Sequence, residues 1–172
     1  KAAVTEKRMR GRYGGTVMQE ERLKETQEQI AFAATDTVCF FAPFPEDLRK
    51  MQQREWKPVV DWVNANGCDF KISEGLDVQS LSERTKKFLE KTLNALSDEA
   101  FWAFCAVSGG CRSVILALAV LDGFMTAERA FDLSILEEKF QNNVWSEDQD
   151  ALSAREGRKQ DVLEAAVKLK GK

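Results

Sequence analysis

The chain has 172 residues, 31% of them charged, with a net charge of −3 and no histidine. That length suits one domain with a proper core, and the slightly acidic balance argues against a general nucleic-acid binder. Without histidine the usual general base and the Ser-His-Asp arrangement are missing, so any chemistry would have to come from carboxylates or a cofactor.

The cysteines Cys39, Cys68, Cys105 and Cys111 show no Cys-x-x-Cys spacing, which together with the lack of histidine argues against zinc or another metal. Cys105 and Cys111 lie in apolar company and read as small buried thiols in a reducing compartment, although spacing alone leaves a disulfide open. The longest apolar run, Val114 to Leu121, is far too short to cross a bilayer and predicts a buried helix.

Residues 1–19 open with Lys1, Lys7, Arg8, Arg10 and Arg12 against the single acid Glu6, and read as a mobile basic arm. Such an arm suits an organelle-targeting remnant, a docking strand for an acidic surface, or a solvated tail. From Glu20 to Ala34 the pattern is helical, with Leu23, Ile30 and Ala34 on one side. Thr35-Asp36-Thr37 interrupts it, and Val38-Cys39-Phe40-Phe41 predicts an extended buried connection before Pro43 and Pro45.

Pro45-Glu46-Asp47 is a good helix start, with acids where the helix dipole favours them. Pro58 should kink or divide this helix, and Asn66-Gly67 should close it. Cys68 to Ser73 alternates like a strand whose one available partner is Val38 to Phe41. Ser80 and Glu83 form a capping box for a helix reaching Leu96, and Ser97-Asp98-Glu99 starts another. Ser108-Gly109-Gly110 reads as a break or a close approach of two helix backbones, since it lacks the context of a phosphate loop. Cys111 to Leu121 predicts the most apolar helix, stopped by Asp122-Gly123. Thr126 caps the next one, Ser146 and Gln149 form a second capping box, and a last helix over 147–169 is weakened in its middle by Gly157. The expectation is a mainly α single-domain bundle of about six to seven helices over residues 20–172, with at most a small two-stranded β element.

The candidate site lies in Ile135 to Asp148. With Leu133 as origin and 100° per residue, Leu136, Phe140 and Val144 share one direction; Glu137 falls inside that apolar arc and Glu138 on its margin. A carboxylate on a core-facing stripe needs a partner. Either the Glu137/Glu138 pair makes a buried structural ion pair, for which Arg112 is the candidate because a guanidinium can hold a carboxylate through two bonds, or it serves function.

Several pieces resemble, in order, the helical domain of the Atp12 family, the assembly chaperones of F1-ATPase. They are Thr35-Asp36-Thr37-Val38-Cys39-Phe40, Leu48 with Gln52/Gln53, Trp56-Lys57-Pro58-Val59-Val60-Asp61-Trp62, Glu74-Gly75, Ser113 to Ala119, Ala130-Phe131, Leu136-Glu137-Glu138-Lys139-Phe140-Gln141, and Trp145-Ser146-Glu147-Asp148. The resemblance implies a mostly helical, non-enzymatic, cofactor-free module on the matrix side of the mitochondrion that binds the F1 α subunit. By position it implies that Glu137 and Glu138, with Gln141 and Trp145, bind the partner. Ser146 departs from the family's usual glycine, and serine caps a helix at least as well. The family's β-rich domain precedes its helical one, whereas few residues precede the first helix here. That difference opens a second reading, a permanent accessory subunit of a mitochondrial complex such as ATP synthase. An enzyme using Glu137, Glu138 and Arg112 ranks far behind both.

Overall fold

A computed structural model describes residues 14–75, 80–142 and 148–170. The fold is mainly α, and its helices are named in chain order. Helix α1 (Gly14–Ala33) is followed by a single 3-10 turn (Thr37–Cys39) and strand β1 (Phe40–Phe41). Then come α2 (Glu46–Glu55), α3 (Lys57–Ala65), β2 (Ser73–Glu74), α4 (Glu83–Asn94), α5 (Asp98–Cys111) and α6 (Val114–Asp122). Helices α7 (Ala127–Ser134), α8 (Leu136–Asn142) and α9 (Gln149–Leu169) complete it.

There are more segments than the six or seven expected because two stretches divide. Helix α2 stops at Glu55 and α3 starts at Lys57, so that Pro58 occupies a first-turn position where its missing amide is not needed. Ile135, at φ −104° and ψ 15°, separates α7 from α8 and resets the helical phase beyond it. The small sheet is also present: β1 and β2 pair in parallel, with Phe40 opposite Ser73 and Phe41 opposite Glu74.

Helix α6 is the centre. Val114, Ile115, Leu116, Ala117 and Ala119 are completely buried, and α5 packs Phe101, Phe104, Val107 and Cys111 beside it. Of the two readings of Ser108-Gly109-Gly110, the close approach of two helix backbones is present and the break is not. Helix α5 runs through all three residues, because Gly110 is the point where α9 approaches: a β-carbon there would lie 2.3 Å from Val162 Cγ2. The turn comes instead at Arg112, which adopts the left-handed conformation at φ 52°. A side chain normally disfavours that region, and here the turn is held by Ser113 N–H donating to Ser108 O (3.1 Å) and Thr37 Oγ1 donating to Arg112 O (2.7 Å).

Capping follows the expected chemistry, with two shifts in position. Ser97, Ser113 and Thr126 each accept from the amide three residues on. Ser82, rather than Ser80, caps α4, accepting from Thr85 N–H. Asp148 caps α9; the expected cap Ser146 lies outside the described residues. Gly123 ends α6 at φ 81°, as its sequence position suggests.

Helix α1 starts at Gly14, six residues before the expected Glu20. Residues 1–13 of the expected arm lie outside the described set. The buried positions of α1 are Thr26, Gln29 and Ala33; of the apolar side inferred from the sequence, Ile30 packs partly against the core while Leu23 is exposed, so the packed side is rotated from the inferred one. A polar contact sets the rotation. Arg22 donates to Leu93 O (2.7 Å), Leu96 O (2.6 Å) and Asp98 (2.7 Å), and its guanidinium lies 4.5 Å from the centre of the Phe101 ring. A cation there adds a charged donor to carbonyls at and just beyond the end of α4, where the helix dipole is negative.

Asp36 makes the second polar tie. Fully buried, it accepts from Ser113 Oγ (2.6 Å), Ile115 N–H (2.9 Å) and Val38 N–H (3.3 Å), joining the turn after α1 to the first turn of α6. Burial pushes its carboxyl up to about 6, against the opposing pull of those donors.

Candidate functional site

Helix α8 is short and begins with two acids, Glu137 and Glu138, at the end where the dipole favours carboxylates. Leu136 is buried and Phe140 packs partly against the core, which leaves the two carboxylates between α2 on one side and α9 on the other. Their environments differ sharply.

Glu138 faces a group of arginines. Its carboxylate lies 3.4 Å from Arg158, 3.6 Å from Arg112 and 3.9 Å from Arg155. Arg158 also stacks over Phe131, 5.5 Å from the ring centre. Arg112, the candidate partner of the Glu137/Glu138 pair, lies beside Glu138, and the contact is not buried: Arg112 is 60% exposed and Glu138 40%. A solvated pair of this kind contributes modestly, and its value here lies in joining α8 to α9 and to the α5–α6 turn.

Glu137 has no cation within ion-pair distance among the described residues. Its Oε1 accepts a hydrogen bond of 2.6 Å from Nε2 of Gln52 on α2. Gln52 is completely buried, and its own Oε1 accepts from Ala42 N–H at 2.7 Å. Nearby, Trp56 is fully buried and donates through Nε1 to Leu133 O (2.8 Å), fixing α2 against the end of α7. The carboxylate read as lying on a core stripe is thus half-buried and hydrogen-bonded to an amide, with no ion pair to arginine among the described residues.

Of the remaining predicted site residues, Gln141 is exposed on α8 and Trp145 lies outside the described residues. Sequence reasoning missed Gln52, Arg155 and Arg158 as members of this site. Arg155 and Arg158 stand three apart on α9, a spacing that places them on one helical face and could have signalled them. Gln52 carried no such signal beyond its place in the family pattern. No three residues among the described Cys, Asp and Glu are grouped so as to hold a metal ion, and no helix among the described residues is long and apolar enough to cross a membrane. A separate concavity of about 680 Å³ between α3, α4 and α6, lined by Trp62, Phe88, Leu96, Leu118 and Leu121, shares no residue with the acidic site.

Fold and site together define a small helical module with an acidic pair at the start of α8. Known proteins resemble it in sequence and in fold. A sequence profile described as ATP12 chaperone protein matches residues 6–64. The mitochondrial protein atp12 of Schizosaccharomyces pombe is 29% identical over 140 residues, covering 77% of this chain and 48% of its own. The crystal structure of Atp12 from Paracoccus denitrificans superposes with a TM-score of 0.83 at 22% identity, covering 90% of this chain and 66% of that one. A protein from Agrobacterium tumefaciens, suggested to be a chaperone, superposes at 0.78 with 28% identity, covering 87% and 56%. The chain is similar to Atp12 proteins in sequence and in fold, and it spans about half the length of the curated relative it matches.

Proposed function

We propose that the chain acts as an assembly chaperone of F1-ATPase in the mitochondrial matrix, holding the F1 α subunit by non-covalent contact and without bond-making chemistry. The observation that carries this reading is Glu137, a half-buried carboxylate held in place by Gln52 yet without a cation among the described residues, on a fold shared with Atp12. An ordered charge without a cation among the described residues, beside the exposed Gln141, suits recognition of another protein better than it suits stability. Gln141 and Trp145 are the further residues that the resemblance offers for contact.

Affinity purification of the tagged chain under mild conditions tests the reading. Enrichment of free α subunit, below stoichiometry with the other subunits, is the expected result. Stoichiometric recovery with an entire ATP synthase would overturn it in favour of a permanent accessory subunit.

A further inference from the structure

Two neighbouring acids on α8 are in opposite electrostatic situations, and this difference sharpens the chaperone reading on which it rests. Glu138 already has guanidinium groups of Arg158, Arg112 and Arg155 at 3.4, 3.6 and 3.9 Å. Its charge is balanced before any partner arrives. Glu137 meets, among the described residues, the neutral amide of Gln52 instead.

That amide can point only one way. Ala42 N–H is a donor, so the Gln52 atom it meets must be the oxygen, and Nε2 is thereby turned toward Glu137. Complete burial of Gln52 keeps the arrangement rigid. The amide immobilises one oxygen of Glu137 without neutralising it, and the cost of ordering a flexible side chain is met before docking. A surface that covered Glu137 with apolar or neutral groups would strand a charge away from water, which is strongly unfavourable. A surface that brought an ammonium or guanidinium would not.

We propose that Gln52 is a positioning residue that presents Glu137 to a basic side chain, lysine or arginine, of the partner protein, while Glu138 serves to hold α8 against α9. The geometry separates two roles that adjacent, chemically identical residues would otherwise share. It also gives the partner's contact a sign: the recognised group is a cation.

A double-mutant cycle between Gln52→Met and Glu137→Gln tests this, with affinity for purified F1 α subunit, its salt dependence and thermal unfolding all measured on the full chain. Glu137→Gln should weaken binding roughly 10- to 100-fold, the usual scale for removing one member of a covered charge pair, and flatten the salt dependence. Gln52→Met should weaken binding in the wild-type background and add little further in the Glu137→Gln background, whereas its loss of melting temperature should be the same in both. Should Gln52→Met fail to fold, Gln52→Asn keeps the amide and shortens its reach. An equal loss of affinity in both backgrounds would make Gln52 merely structural and overturn the proposal, as would a Glu137→Gln variant with unchanged affinity and salt slope. Failure of the wild-type chain to bind α subunit at all would instead remove the functional reading, and this inference with it.

Discussion

Gly110 of α5 and Val162 of α9 meet so closely that a β-carbon on the glycine would lie 2.3 Å from Val162 Cγ2. The two helices therefore close on a residue with no side chain. Arg158 Cγ would lie 3.9 Å from the same β-carbon, so the arginine nearest Glu138 leaves α9 at this close approach.

Gly110→Ala should force α9 outward and destabilise the chain by about 1–3 kcal/mol, the range for overpacking a tight core. Thermal unfolding measures it. Because Val162 supplies the clash, the double variant with Val162→Ala should cost less than the sum of the two single changes. Strict additivity would show that the two residues do not meet in solution.

Asp36 should make stability depend on pH. Its carboxyl titrates at about 6 in the folded chain, above the ordinary value of 3.8, so the folded state binds the proton more tightly than the unfolded state. The sign follows from linkage: as pH falls from about 6 to 3.8 this group adds stability, the gain is fully present below 3.8, and it is lost as pH rises back through 6. The gain across that window should be on the order of 3 kcal/mol, measured as the difference in unfolding free energy between wild type and Asp36→Asn. A difference that does not change with pH would contradict it.

Asp36→Ala should be far more damaging than Asp36→Asn. It leaves Ser113 Oγ, Ile115 N–H and Val38 N–H without this acceptor in a completely buried place, at a cost of roughly 3 kcal/mol or more. Chemical denaturation of the three proteins gives the order.

Arg22→Met should keep the packing of the aliphatic stem while removing the donors to Leu93 O, Leu96 O and Asp98. A loss of about 1.5–3 kcal/mol is expected for hydrogen bonds from a charged donor. Amide exchange should quicken first in α1, whose packing rotation depends on this contact.

Glu138→Gln should lower stability by about 1 kcal/mol, since the carboxylate is 40% exposed and solvent screens its arginines. Added salt should shrink the difference from wild type, and affinity for a partner per folded molecule should be retained. A deficit unaffected by salt would argue against an electrostatic origin.

Much of the fold was legible because it rests on local chemistry. Serine and threonine at Ser97 and Thr126 cap helices wherever the backbone bends into one, Pro58 cannot supply an interior amide, and Gly123 accepts the left-handed turn that ends α6. The unbroken apolar run of α6 is likewise a statement about burial on all sides. The site was legible only as a place. That Glu137 and Glu138 needed partners followed from their apolar neighbours, but the helical phase assumed for them ran through Ile135, where the helix in fact divides.

By itself, then, the sequence determined the helical class, most helix ends and the stretch that carries the acidic pair, because propensity, capping and periodicity act over a few residues. Only the tertiary structure decided which acid is paired with arginine and which is held by an amide. Gln52 lies 85 residues from Glu137 and Arg158 lies 20 from Glu138, and contacts across such separations depend on how whole helices pack rather than on any local pattern. The same holds for Gly110: a close approach of two helix backbones was legible there beside a break, but that α9 is the helix that comes close depends on the packing of whole helices.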